Sequence, residues 1–192
     1  MSITLKGAPQ RPWVVVPKVF STIECQNIIE QASLTMQSNA QLVGGDAHHN
    51  IRRCGVSWID DGAESAFVHD RVVQLVADVN RENFQYDLSE FAEQLQVAHY
   101  QGGDKGFYDW HVDRGGKKLA SFRKLTMVGL LSPQIDYTGG ELQLNANGHV
   151  QTLDLDVGDV VLFPSSVLHT VTPVTEGHRY SLAQWVHGPH FR

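Results

Sequence analysis

The chain has 192 residues, which is typical of one domain able to bury a full core without disulfides. Apolar residues make up 42% and charged residues 19%, and 15 Lys and Arg against 21 Asp and Glu give a formal net charge of −6. This acidic balance argues against a nucleic-acid partner bound through its phosphates. No apolar run approaches the roughly 20 residues of a membrane span, and no signal region opens the chain, so we expect a cytoplasmic protein without membrane contact. Both cysteines, Cys25 and Cys54, are expected to be free thiols.

The first 50 residues predict a strand, a helix and a loop. Residues 12–17 are β-branched and bounded by prolines, which favours an edge strand. Ser21 and Glu24 form a capping-box pattern, which predicts a helix that continues to about Met36. Residues 37–50 are rich in Gln, Asn, Gly and His without periodicity, and this is typical of a loop.

A further strand and helix are predicted before residue 92. Residues 53–59 read as a strand, and residues 64–80 as an amphipathic helix. The apolar positions of that helix recur at helical spacing and predict a buried stripe of Phe67, Val68, Val72, Leu75, Val76 and Val79.

From about residue 93 the apolar period changes to two, which predicts strands. Strands fit from about 93 to 99, and at 107–113, 123–132, 141–145, 148–153, 159–163, 168–172 and 179–186. Asn147-Gly148 predicts a type I′ hairpin, and residues 137–140 and 156–159 predict turns. So many short strands favour a mainly β fold, a double-sheet jelly roll with the N-terminal helices packed on one sheet. We expect a single domain over residues 1–192, with 1–92 as support and 93–187 as the core.

A metal site is indicated by His111 and Asp113. On one strand, residues two apart point to the same face, so the two side chains would project together. His169, in an otherwise apolar strand, is the best third ligand. Two His and one carboxylate match the facial triad of non-heme Fe(II) oxygenases, whereas a closed zinc site would usually recruit cysteine. A His-x-Asp triplet also arises by chance, and a lone strand histidine is often a hydrogen-bonded core residue.

Arg179 strengthens the metal hypothesis. It follows His169 by ten residues, across a predicted turn at 175–177, and on a returning strand it would face the same cavity. A buried guanidinium needs an anion and matches a carboxylate bidentately. Ser181 shares its face and can donate a hydroxyl to the same carboxylate. The alternative for Arg179 is a surface salt bridge with Glu176.

Residues 93–187 resemble the catalytic domain of Fe(II)/2-oxoglutarate-dependent dioxygenases of the prolyl 4-hydroxylase type, especially bacterial PKHD-type hydroxylases. Four motifs match in order: Tyr100 and Tyr108 before His111-Val112-Asp113; Tyr137-Thr138-Gly139-Gly140-Glu141-Leu142; Gly158-Asp159-Val160-Val161-Leu162-Phe163-Pro164; and His169 with Pro173-Val174 and Gly177-His178-Arg179-Tyr180. The resemblance implies a double-stranded β-helix, which is a jelly roll.

The resemblance also implies roles for single residues. The triad of His111, Asp113 and His169 would hold Fe(II), which 2-oxoglutarate would chelate. Arg179 would bind the C5 carboxylate of 2-oxoglutarate with help from Tyr100 or Ser181. Tyr108 either contacts this cosubstrate or packs within its strand. O2 would be the oxidant, and the resemblance admits ascorbate as a reductant.

The implied reaction is hydroxylation of an unactivated C–H bond, with release of succinate and CO2. A prolyl or other residue of a peptide or protein is the expected substrate, and a free amino acid or metabolite stays open. Arg53 would lie at the cleft rim and contact substrate, while Trp185 either fills the barrel interior beside Arg179 or touches substrate. The alternatives are an AlkB-like nucleic-acid demethylase and a non-enzymatic, cupin-like metal-binding module. The oligomeric state stays open between monomer and homodimer.

Overall fold

The computed structural model describes residues 12–34, 51–60, 62–116 and 118–190, so the predicted loop at 37–50 lies outside the described residues. The N-terminal elements are β1 (Val14–Val16), α1 (Thr22–Leu34), β2 (Arg52–Arg53), β3 (Gly55–Ile59) and α2 (Ala66–Val79), which a π-helical turn (Asn80–Phe84) extends. The later strands are β4 (Leu95–Gln101), β5 (Phe107–His111), β6 (Arg123–Leu130), β7 (Tyr137–Gly139), β8 (Leu142–Ala146), β9 (His149–Thr152), β10 (Val160–Pro164), β11 (Leu168–Val171) and β12 (Val174–His187). Two short 3-10 helices, Lys118–Phe122 and Gln134–Asp136, precede β6 and β7.

The strands form two antiparallel sheets, which confirms the predicted jelly roll. The large sheet has the order β1-β10-β6-β12-β4-β3, with β7 pairing β12, and the small sheet has the order β2-β5-β11-β8-β9. The segment predicted as one strand at 53–59 is divided at Cys54, because β2 pairs with β5 of the small sheet while β3 pairs with β4 of the large one. The chain therefore crosses between the sheets at this thiol.

The large sheet has one face toward the helices and one toward the small sheet. Alternate residues of β4 show this: Leu95 and Val97 pack with the helices, whereas Ala98 and Tyr100 pack with strands of the small sheet. The predicted stripe of α2 packs in the helix-facing core, with Val68, Val72, Val76 and Val79 fully buried. The packing of the N-terminal helices on one sheet is therefore confirmed. Neither of the two described helices is long and apolar enough to cross a membrane.

The capping box at the start of α1 is confirmed. The Glu24 amide donates to the Ser21 hydroxyl at 3.3 Å, and the Ser21 amide donates to the Glu24 carboxylate at 2.8 Å. The same carboxylate pairs with Arg71 of α2 at 2.8 Å. These contacts, led by the Arg71 hydrogen bond, lower the pKa of Glu24 to about 2. One acidic side chain thus caps α1 and connects it to α2.

Two predicted boundaries are wrong near the site. The predicted strand 107–113 ends at His111, so Asp113 lies in the bend that follows. The predicted turn at 175–177 is part of β12, which already begins at Val174. Gly177 has φ of 71°, and a Cβ there would lie 1.9 Å from the Asp136 carbonyl oxygen. The glycine therefore allows the chain before β7 to approach β12 closely.

The predicted hairpin between β8 and β9 is confirmed. Asn147 and Gly148 both have positive φ, 60° and 82°, as a type I′ turn requires. Ala146 pairs with His149 directly across this turn. The segment at 137–139, predicted as a turn, instead forms the short strand β7.

Candidate active site

The structure brings His111, Asp113 and His169 together at the interior of the small sheet. Strands β5 and β11 are neighbours, and His111 is the cross-strand partner of His169. Asp113 Oδ1 lies 3.6 Å from His111 Nε2, and Asp113 Oδ2 lies 3.4 Å from His169 Nε2. One ligand atom from each residue lies within 4.8 Å of the others. Three donors therefore converge on one point.

Backbone carbonyls orient both imidazoles for metal binding. His111 Nδ1 lies 2.7 Å from the Asp109 carbonyl oxygen, and His169 Nδ1 lies 2.9 Å from that of Val167. With the proton on Nδ1 donated to the carbonyl, Nε2 presents its lone pair to the centre of the site. Burial lowers the pKa of His169, which favours the neutral form that binds metal.

Asp113 is held by a hydroxyl that the sequence patterns did not indicate. Thr126, on β6 of the opposite sheet, donates its hydroxyl to Asp113 Oδ2 at 2.8 Å, and the Ser165 hydroxyl lies 3.0 Å from the same threonine oxygen. Burial raises the pKa of Asp113, but the imidazoles of His169 and His111 and the Thr126 hydroxyl outweigh it and hold the pKa well below its usual range. The ligand is thus a carboxylate fixed in one orientation.

The donor set fits Fe(II). Two imidazole nitrogens and one carboxylate oxygen leave further coordination positions for other ligands, as in the facial triad. Within the described residues, the cluster contains these three side chains and no cysteine. A closed structural zinc site would require a fourth protein ligand.

Arg179 is the largest fully buried side chain among the described residues, at 2% exposure. Its Nε and Nη1 atoms have no hydrogen-bond partner among them, and its guanidinium lies 5.4 Å from the centre of the Tyr100 ring. Burial raises the pKa of Tyr137, while the positive charge of Arg179 and a hydrogen bond to it oppose that rise. A buried cation with two unpaired N–H groups is costly unless an anion joins it. The interior therefore has a place for a carboxylate.

Gly140 makes room for this guanidinium. A Cβ at Gly140 would lie 2.7 Å from Arg179 Cδ and 2.8 Å from Val174 Cγ2. A cavity of about 410 Å³ adjoins this point and is lined by Arg179, Tyr137 and Leu142 among others. The sequence motif that contains Gly139 and Gly140 indicated only turn geometry. The structure adds close packing of Gly140 against the Arg179 side chain.

Small side chains lie between Arg179 and the metal end of the barrel. Along the inward face of β12, Ser181 pairs with Ala98 and Ala183 with Gln96, while Arg179 itself pairs with Tyr100. Alanines and a serine fill little of the space between the sheets. Ser181 thus lies next to Arg179 on the predicted face, on the side toward the triad.

Tyr108 packs on a candidate metal ligand, His111. Its ring stacks on the His111 imidazole with 3.5 Å between centroids and 13° between planes. Burial raises the pKa of Tyr108, so the phenol stays protonated. The side chain therefore fixes one face of the imidazole.

Trp185 does not lie beside Arg179. It is the cross-strand partner of Thr126, near the triad, and the Arg123 guanidinium lies 3.9 Å from its ring. Its indole Nε1 is buried without a hydrogen-bond partner among the described residues. This end of the barrel therefore combines an apolar ring with a free N–H donor.

Arg53 and Arg52 take opposite positions. Arg53 is exposed and donates to the Asp104 carbonyl oxygen at 2.7 Å, so the structure does not bring it to the triad. Arg52 is buried, with its guanidinium 4.7 Å from the centre of the Tyr108 ring. The expectation that Arg53 would face the cleft is therefore not met. The break in the strand at Cys54 decides which arginine turns inward, and this break has no sequence signal of its own.

Comparisons with known proteins agree with this geometry. The sequence profile of the 2OG-Fe(II) oxygenase superfamily matches residues 95–187. A PKHD-type hydroxylase of Synechococcus sp. is 36% identical over 102 residues, which cover 53% of this chain and 45% of the relative. The chain spans less than half the length of the curated PKHD-type relatives that it matches.

Two solved structures share the fold. A prolyl-4-hydroxylase of Pseudomonas putida superposes with a TM-score of 0.73 at 23% identity, covering 93% of this chain and 94% of that protein. A prolyl hydroxylase of Trichoplax adhaerens, in complex with a hypoxia inducible factor peptide fragment, gives a TM-score of 0.74 at 23% identity and covers 92% and 83%. The superfamily implies Fe(II), 2-oxoglutarate and O2, and the His-Asp-His cluster fits the metal. Residues 95–187, just under half of the chain, are therefore similar to the 2OG-Fe(II) oxygenase superfamily, and the metal cluster and the two-sheet fold agree with that similarity.

Proposed function

We propose that the protein is an Fe(II)- and 2-oxoglutarate-dependent dioxygenase that hydroxylates an unactivated C–H bond. The substrate is a prolyl or other amino-acid residue of a peptide or protein. In the overall reaction, the substrate, O2 and 2-oxoglutarate give the hydroxylated substrate, succinate and CO2. One oxygen atom enters the C–H bond, and the other enters succinate.

One observation carries this proposal: a three-ligand cluster and an unpaired, buried guanidinium face the same interior. His111, Asp113 and His169 converge within 4.8 Å, and Arg179 has two buried N–H groups without a partner among the described residues. A metal site alone has no need of a buried carboxylate-binding cation. A dicarboxylate that chelates the metal at one end and meets Arg179 at the other satisfies both.

The chain's own residues position the reactants. Fe(II), held by the triad, supplies the chemistry that couples decarboxylation of 2-oxoglutarate to oxygen transfer. Thr126 fixes the Asp113 carboxylate, and Tyr108 fixes the His111 ring. Arg179 binds the C5 carboxylate, with Tyr100 below its guanidinium and Ser181 next to it on the strand. These contacts orient the cosubstrate before the reaction begins.

Substrate enters at the triad end of the barrel. Trp185 supplies an apolar ring and an unpaired N–H donor there, and we propose it as a substrate contact. Arg53, on the exposed side of β2, is a contact only for a substrate long enough to extend over the rim. Ascorbate serves as a reductant that keeps the iron ferrous.

The test is anaerobic addition of Fe(II) and 2-oxoglutarate while the visible metal-to-ligand charge-transfer absorption is recorded. We expect the absorption in the wild type and its loss in His111→Ala. Arg179→Ala should require a higher 2-oxoglutarate concentration. Arg81→Gln removes an exposed guanidinium that pairs with Asp78 on the helix surface, and this variant serves as the matched control. No absorption in the wild type, or equal behaviour of all variants, would contradict the proposal.

The substrate is sought by mass spectrometry. Peptides and amino acids are incubated with the iron-loaded enzyme, 2-oxoglutarate and O2, and single-oxygen additions are recorded together with succinate. We expect the two products in equal amounts. Succinate without a modified substrate in the presence of a tightly bound peptide would argue against hydroxylation of that peptide.

A further inference from the structure

A second buried guanidinium, that of Arg52, contacts Tyr108, whose ring stacks on His111 of the triad. Arg52 is 8% exposed; its Nε donates to Cys54 Sγ at 2.9 Å and its Nη2 donates to Gln96 Oε1 at 2.9 Å. Its carbon Cζ lies 4.7 Å from the centre of the Tyr108 ring. Arg52 therefore reaches from the edge of the small sheet across to β4 of the large one.

None of these partners compensates the positive charge. Gln96 is neutral, and burial raises the pKa of Cys54, so the thiol stays protonated. Within the described parts of the chain, no carboxylate forms an ion pair with Arg52. Arg123, another arginine at this end, does have a carboxylate, since it donates to Glu93 Oε2 at 2.7 Å. A buried guanidinium without an anion is unfavourable, so the site calls for an external one.

The strand register places Arg52 at the metal end of the barrel. In the small sheet, Arg52 is the cross-strand partner of Tyr108, whose ring stacks on His111. In the large sheet, Gln96 lies four residues before Tyr100 on β4 and pairs with Ala183, which is two residues from Trp185, the partner of Thr126 beside the triad. Arg179 is the partner of Tyr100, four residues from Gln96 on β4, so Arg179 and Arg52 reach this inward face at different positions.

We propose that Arg52 binds a carboxylate of the substrate, separately from the carboxylate that Arg179 binds. This inference rests on the proposed function and specifies its substrate class: the molecule that is hydroxylated carries a carboxylate close to the reacting C–H bond. A free amino acid and the C-terminal residue of a peptide both present that group. A guanidinium fork binds it through two parallel hydrogen bonds, and a neutral amide replaces it poorly.

The first experiment uses acetate as the probe. The protein is loaded anaerobically with Fe(II) and saturating 2-oxoglutarate, and its Tm is recorded against acetate or acetamide at constant ionic strength. We expect a saturable rise in Tm with acetate. Acetamide should bind at least about tenfold more weakly than acetate. Arg52→Gln should abolish the acetate effect, while Arg81→Gln should retain it. If acetate has no saturable effect on the Tm of the wild type, the proposal is overturned, whatever the variants show.

The second arm distinguishes the two sources of the carboxylate. Calorimetric titrations compare L-proline, N-acetyl-L-proline and N-acetyl-L-prolinamide. Preference for L-proline supports a free amino acid, and preference for N-acetyl-L-proline over its amide supports a C-terminal residue. If only acetate binds, the carboxylate site is supported and the prolyl probes are not its ligands.

The same samples separate this proposal from the proposed function. The charge-transfer absorption reports on iron and 2-oxoglutarate irrespective of acetate. If Arg52→Gln weakens 2-oxoglutarate binding about tenfold or more, Arg52 holds the cosubstrate instead and the proposal is overturned. Arg52→Lys, which keeps the charge but not the fork, provides a second variant if Arg52→Gln does not fold, and we expect it to weaken acetate binding.

Discussion

Gly140 offers a test of how the fold positions Arg179. Its φ is +66°, a conformation that costs a residue with a Cβ about 1 kcal/mol. In Gly140→Ala, the new methyl would also lie 2.7 Å from Arg179 Cδ and 2.8 Å from Val174 Cγ2. Overpacking of this kind costs about 1–3 kcal/mol. We therefore expect the free energy of unfolding to fall by about 2–4 kcal/mol.

Gly148→Ala is the matched control. Gly148 has φ of +82° in the hairpin, and no atom lies within 4 Å of an added Cβ. Only the conformational cost of about 1 kcal/mol applies there. The difference between the two variants therefore measures the contact with Arg179 and Val174.

Urea denaturation gives the free energies of unfolding, and a 2-oxoglutarate titration of the charge-transfer absorption gives the affinity. We expect Gly140→Ala to weaken 2-oxoglutarate binding by about tenfold, because the guanidinium must shift and its charge-assisted hydrogen bonds lengthen. Gly148→Ala should bind like the wild type. Equal destabilisation of both variants together with unchanged affinity in Gly140→Ala would refute the reasoning.

Three further predictions concern other contacts. Thr126→Val removes the hydroxyl that fixes Asp113, and Fe(II) affinity measured by competition with a chelator should fall about 10–100-fold; an unchanged affinity would contradict this role. Ser21→Ala removes the cap of α1 and should lower the free energy of unfolding in urea by about 1 kcal/mol without affecting 2-oxoglutarate binding. Burial, followed by the neighbouring His178, lowers the pKa of His99 from 6.5 to about 4, so the unfolded chain binds the proton more readily. The stability from the neutral ring is complete above pH 6.5 and is lost as pH falls to about 4; because solvent screens part of the effect, the loss is on the order of 1–2 kcal/mol. His99→Phe, which keeps a ring against Tyr180, should flatten this part of the pH profile; an identical profile would assign the loss to other groups.

The strand pattern was sufficient for the fold and insufficient for its boundaries. The alternation of apolar and polar residues from residue 93 predicted the jelly roll, because successive side chains of a strand point to opposite faces of its sheet. It could not show that the chain leaves one sheet for the other at Cys54, since both halves of that segment alternate in the same way. The extension of β12 through 174–177 was missed for a related reason: Gly177 is typical of a turn but here permits close approach to Asp136.

The candidate site, too, could be predicted from the sequence only in part. The pairing of His111 with Asp113, and the distance in sequence to His169 and Arg179, indicated the metal cluster and the anion-binding residue, because metal ligands and buried cations are restricted to few residue types. Trp185 was expected beside Arg179 as one of two alternatives. The structure places Trp185 next to Thr126, six residues after Arg179 on β12. Each residue advances a strand by about 3.3 Å, so the two side chains lie far apart.

The sequence by itself determined the residue types of the site, since two imidazoles, a carboxylate and a guanidinium at these spacings restrict the chemistry to few possibilities. Only the tertiary structure decided which other side chains meet them. Thr126 lies on the opposite sheet from the triad, Gly140 packs against Arg179 from another strand, and Arg52, not Arg53, turns inward. These relations depend on strand register and on the distance between two sheets, which arise from packing across the whole core and not from any local pattern.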